Sequence, residues 1–216
     1  MRRLLRILVN PRPLRLSSQP LPAAWHVIQQ PKPALGLGIS ILTGLGLPFV
    51  PFLLLTLESW LLPRVATNQT ETVPWWILLP VLLVSVVAHE FLHLVWHPGW
   101  GLSSQSLMLI WPRRLLVAVY YEGFMPRTRW LVMRLSPLVG LTVLPTLVLL
   151  VIYPCEVSFF WQQFIVLVIL VNSLGAGGDL VASVIVARQV ASGGQVGNWN
   201  GRAYWRAEKA IGSEAA

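Results

Sequence analysis

Four long apolar stretches leave this chain little choice of fold. About Ala34 to Leu57, Pro74 to His97, Leu131 to Tyr153 and a fourth run from near Phe159 to about residue 187 are each long enough to cross a bilayer as a helix. Lipid offers no hydrogen bonds, so each span must satisfy its own backbone, and an all-α polytopic membrane protein of about four transmembrane helices is expected. The bulk figures agree: 55% of 216 residues are hydrophobic and 11% charged, with a mean hydropathy of +0.65. A net charge of +8 would suggest nucleic acid in a soluble chain. Here the basic residues flank the apolar runs, so topology accounts for them; the lipid bilayer is the expected partner and nucleic acid is not.

Loop charges orient the spans. Basic residues fill 1–33 (Arg2, Arg3, Arg6, Arg12, Arg15, Lys32), 98–130 and 188–216, whereas 58–73 holds only Arg64 against Glu58 and Glu71, and 154–158 holds Glu156. The positive-inside rule then predicts both termini in the cytoplasm, in a bacterial-type plasma membrane. Residues 1–33 read as a basic cytoplasmic lead-in made extended by its prolines, 34–187 as the transmembrane domain, and 188–216 as a cytoplasmic tail. Gly36, Ser40 and Gly44 form a small-residue stripe on the first span, where another helix can approach closely. Pro48, Pro51, Pro137 and Pro145 predict bends. Between spans two and three, Ser106–Trp111 and Leu115–Tyr121 flank Pro112-Arg113-Arg114 and predict a short membrane-associated β-hairpin. Its edge would let an extended peptide add to the sheet, unless it simply plugs the bundle. The lone Cys155 excludes a disulfide framework and a multi-cysteine zinc site. Asn68-Gln69-Thr70 matches a glycosylation acceptor, a pattern so short that coincidence suffices to explain it.

The chemistry gathers at His89-Glu90-Phe91-Leu92-His93 near the end of the second span. Histidines four apart lie on one helix face, so both imidazoles can reach one metal ion. Glu90 stands where zinc hydrolases keep the general base that activates water. Charged groups in a bilayer cost on the order of 2.5–3.5 kcal/mol on insertion scales, which makes an ionisable cluster there a functional feature before it is a structural one. The competing account is a set of core histidines satisfied by neighbouring helices. Asp179, the only aspartate, falls in the fourth span after Gly175-Ala176-Gly177-Gly178. Those glycines leave room for a close neighbour or for an opened helix turn. His89, His93 and Asp179 would give three ligands and leave one position open, the pattern of a catalytic zinc site. His97 repeats the four-residue spacing but lies two turns, roughly 12 Å, from His89. It reads as a second-shell or helix-end residue, and as the alternative third ligand if Asp179 is not one. Asn172 is a candidate for holding the substrate backbone or an oxyanion, or for an interhelical hydrogen bond.

These residues resemble the site-2-protease-like intramembrane zinc metallopeptidases, and more narrowly a small family of zincin-peptidase membrane proteins. The resemblance runs from about Val81 to Leu180: His89-Glu90-x-x-His93 followed by Pro98-Gly99, the Tyr120–Arg127 loop, Ser136-Pro137, and Asn172 through Asp179. It implies Zn2+ as cofactor, His89, His93 and Asp179 as its ligands, Glu90 as catalytic acid/base, and a membrane protein or peptide as substrate. One departure stands out: Leu180 follows Asp179 where site-2 proteases carry glycine, and glycines replace the prolines ahead of it. Two other readings remain open at this level. A catalytically idle scaffold would keep the fold, although an intact Glu90 speaks against it. A metal-ion transporter would line a path with further histidines and acids, whereas this chain has one cluster.

Overall fold

The computed structural model describes residues 5–9, 24–61, 74–114, 116–152, 158–199 and 202–207. Arg2, Arg3, Arg12, Arg15, Arg64, the Asn68-Gln69-Thr70 pattern, Glu71, Cys155 and Glu156 lie outside them. Among the described residues, four helices are long and apolar enough to cross a membrane: Pro33–Leu57, Trp75–Val95, Arg127–Ile152 and Phe160–Gln189. Their exposed faces are apolar, with Leu42, Phe49 and Val151 each about 70% exposed, as lipid-facing helices require.

The chain forms two compact units. The first, Lys32–Leu92 with Leu135–Ala182, is helical. It opens on α1 (Pro33–Gly46), which starts with a proline in its first turn, where the missing N–H costs nothing. The expected break in the first span falls at Leu47-Pro48, and α2 (Phe49–Leu61) follows. Helix α3 (Leu78–Val95) grows from a 3-10 turn at Trp75–Ile77. The third span is α4 (Arg127–Leu138), a wide π-type turn (Val139–Val143) and α5 (Leu144–Ile152). That turn lies between Pro137 and Pro145, neither of which can donate to the carbonyl four residues back. Thr146 Oγ1 donates to the Thr142 carbonyl, four residues back, at 2.6 Å. The last helix, α6 (Phe159–Gln189), runs unbroken for 31 residues. Its glycines therefore serve a close neighbour and not an opened turn. A Cβ on Gly177 would collide with the backbone of Ser40 and Gly44, and one on Gly44 would stand 2.8 Å from the Leu174 carbonyl oxygen.

The second unit, Met1–Pro31, His93–Arg134 and Ser183–Ala216, carries the sheets. Strands β1 (Arg6–Val9) and β2 (His26–Val27) come from the N-terminal segment. The expected hairpin is β3 (Ser106–Trp111) and β4 (Leu116–Tyr121), antiparallel with Ser106 opposite Tyr121 and Trp111 opposite Leu116. Strand β1 pairs in parallel with β3, giving the order β1-β3-β4. A second sheet, β2-β7-β6-β5, joins β5 (Phe124–Pro126) to β6 (Gln195–Trp199) and β7 (Arg202–Arg206). Here the expectation of an all-α protein with a single hairpin is corrected: the described residues hold seven strands in two sheets. The lead-in and the tail supply the added strands. Gly197 sits opposite Phe124, whose ring fills the place a Cβ would need. Trp25 stacks on that ring with centroids 3.8 Å apart. Gln29 and the α6 end are tied by reciprocal bonds, Gln29 N to Gln189 Oε1 at 2.8 Å and Gln189 Nε2 to the Gln29 carbonyl at 2.7 Å.

Candidate metal centre

The His-Glu-x-x-His stretch lies on the last turns of α3, which is unbroken from His89 to His93, so the spacing of the two rings follows from the helix itself. His89, His93 and Asp179 are all nearly buried, at 9%, 5% and 6% exposure. One potential ligand atom from each lies within 4.8 Å of the others. Glu90, half-buried, is the next residue along the helix from His89.

Hydrogen bonds decide which nitrogen each ring can offer. His93 Nδ1 lies 2.8 Å from the Met133 carbonyl, which can only accept, so Nδ1 carries the proton and Nε2 is the nitrogen left to ligate. The case of His89 takes one more step. Asn172 Nδ2 donates to the Pro137 carbonyl at 3.0 Å and to Thr142 Oγ1 at 2.9 Å. The carbonyl fixes which way round the amide sits, since only its nitrogen can donate. Asn172 Oδ1 therefore faces His89 Nδ1, 2.9 Å away, and accepts its proton. His89 Nε2 is then a lone pair, and it stands 3.0 Å from Asp179 Oδ2, another lone pair. Two acceptors that close in a buried place need a proton or a cation between them. The donor set of two imidazole nitrogens and one carboxylate is what zinc takes, with a fourth position left open. Gly175 makes the room: a Cβ there would sit 3.3 Å from His89 Cε1.

Asn172 is only 2% exposed, and both its amide hydrogens are engaged by Pro137 and Thr142. That leaves it holding a histidine, not presenting a donor to an oxyanion. His97 goes elsewhere. It is 1% exposed, shares a 3.1 Å hydrogen bond with Ser106 Oγ through Nδ1, and packs its ring on Tyr121 with centroids 5.2 Å apart. Arg129 donates to the carbonyls of Trp96 and His97 at 2.7 and 2.9 Å, closing the chain after α3. Burial, followed by the charges of His93, Arg134 and Arg129, pushes the His97 pKa down to about 4, so it is neutral at neutral pH. It is not among the grouped ligands of the described residues. The Met133 carbonyl, Pro137 and Thr142 are the participants that sequence reasoning misses. Only a proline in mid-helix hints at them.

Two helical histidines and a buried carboxylate, close enough to hold one metal ion and with an acid beside the first histidine, are a donor set that suits zinc. Residues 82–192, more than half of the chain, match the family described as putative zincin peptidase, and the chain belongs to that family. That family implies zinc, and His89, His93 and Asp179 lie close enough to hold the ion. No curated protein and no solved structure matches the chain.

Proposed function

We propose that the chain is an intramembrane zinc metalloprotease, hydrolysing peptide bonds of membrane-embedded or membrane-adjacent substrates near the cytoplasmic face. The observation that carries this reading is the convergence of two locked imidazoles and Asp179 on helices of membrane-spanning length. In it, His89 and His93 bind through Nε2 and Asp179 through a carboxylate oxygen. Zinc, when bound, polarises the scissile carbonyl as a Lewis acid and brings the pKa of water to about 7. Glu90 is the catalytic acid/base: it takes a proton from the attacking water and returns it to the leaving amine. Asn172 keeps His89 in its ligating tautomer. Strand β4 lies at the edge of its sheet, where an extended substrate can pair through its backbone.

Glu90→Gln tests the chemistry. The ligands survive, so zinc should stay bound, while cleavage of a reconstituted membrane substrate falls at least ~10²-fold. A variant that cleaves like the wild type removes Glu90 from the mechanism. The proposed orientation, both termini cytoplasmic, has its own check. In a Cys155→Ser background, single cysteines at Thr67 and Ser213 should label from opposite sides of sealed vesicles, and labelling from one side would overturn it.

A further inference from the structure

We propose that Pro137 is the positioning residue for both histidines of the metal centre, an inference that rests on the reading of His89 and His93 as zinc ligands. In an uninterrupted helix the N–H of residue 137 would donate to the Met133 carbonyl, four residues back. Proline has no N–H to donate. The Met133 carbonyl accepts from His93 Nδ1 at 2.8 Å. The other arm runs through Pro137's own carbonyl, which accepts from Asn172 Nδ2 at 3.0 Å. That bond turns the Asn172 amide so that its oxygen takes the proton of His89 Nδ1, 2.9 Å away. One residue thus acts twice. Its missing donor leaves a backbone acceptor to His93, and its acceptor orients the side chain that holds His89. Both rings are thereby held with Nδ1 as the donor, which leaves Nε2 as the nitrogen that would ligate.

The position suits the role. Pro137 is below 2% exposed and lies within α4, where proline is otherwise a liability. Were it only a kink, alanine would strengthen the helix and leave the metal untouched. As a positioning residue, it gives the opposite outcome. Alanine brings an N–H that competes with His93 for the Met133 carbonyl, and partners that orient ligating histidines typically change metal affinity 10–100-fold, roughly the loss expected here.

The experiment uses the full chain in detergent. Zinc affinity is measured by chelator competition, and the absorption of the cobalt-substituted protein reports ligand geometry. Pro137→Ala should weaken zinc binding by about 10–100-fold and alter the cobalt bands. Pro145→Ala, the matched loss of the other proline in the span, should change neither. Nitrogen-15 histidine spectra of the metal-free wild type, which need no variant, should show Nδ1 protonated on both rings. Wild-type affinity with unaltered cobalt bands in Pro137→Ala, or a wild-type His93 protonated on Nε2, would overturn the proposal. A His89→Ala/His93→Ala double variant separates the two levels. If it keeps zinc, the ligand reading itself has failed; if it loses zinc while Pro137→Ala keeps it, only the role of Pro137 has.

Discussion

His93 and His97 stand four residues apart, both deeply buried, and meet opposite surroundings. His93 gives its Nδ1 proton to a backbone carbonyl and shares a ligand cluster with His89 and the carboxylate of Asp179. His97 gives its ring to a hydroxyl and an aromatic face, among the charges of Arg129 and Arg134. The first place groups with a carboxylate that could offset a bound cation, whereas the second stands among arginines. The difference teaches that spacing alone does not make a ligand. The four-residue repeat from His89 through His93 to His97 is regular in sequence, yet a carboxylate groups with the first two rings and arginines stand near the third.

The sharpest way to break that contrast is to remove the acid. Asp179→Ala removes the carboxylate grouped with His89 and His93, and should weaken zinc binding by more than ~100-fold, beyond what loss of an orienting partner does. Asp179→Asn, nearly isosteric but uncharged, should lose less. His97→Asn should leave zinc affinity where it was. Metal content after dialysis against a chelator reads all three. If Asp179→Ala keeps its zinc and His97→Asn loses it, the third ligand is His97 and the comparison is inverted.

Much of the first place is legible in the amino-acid sequence. The His pair is set by one helix, and Asp179 stands out because no basic residue precedes it in its span to balance it. What gathers behind the ligands is not legible. Periodicity cannot show that the Met133 carbonyl meets His93, because that depends on the side α4 presents and on a backbone atom with no sequence identity. The glycines ahead of Asp179 admit two readings, and the approach of Ser40 and Gly44 decides between them. The spans are readable from length and hydropathy, and the β3–β4 hairpin from its two β-branched runs. The remaining strands are not, for two reasons. Strand β1 pairs with β3 across about a hundred residues, a match no local pattern announces. The β6–β7 pair does carry a signal, Asn200-Gly201 between two alternating runs, but the basic residues that flank it give the stretch the look of a cytoplasmic tail.

The smallest effect, and the one that reads the second place directly, is a change with pH. The His97 pKa falls from 6.5 to about 4 on folding. The folded protein therefore resists a proton that the unfolded chain accepts, and the stability this contributes is complete above about 6.5. It is lost as pH falls from 6.5 towards about 4, where the buried ring must charge beside His93, Arg129 and Arg134. Asparagine keeps a hydrogen-bonding side chain for Ser106 and has nothing to titrate. Unfolding of the zinc-free protein, followed in denaturant at pH 7.5, 6 and 5, should lose stability more steeply in the wild type than in His97→Asn. Zinc-free protein is the right sample, because metal release would otherwise dominate the acid limb. Equal slopes would mean that His97 already takes up its proton in the folded state. The arginines would then not be shielding the ring from charge, and the electrostatic difference between His93 and His97 would need another cause.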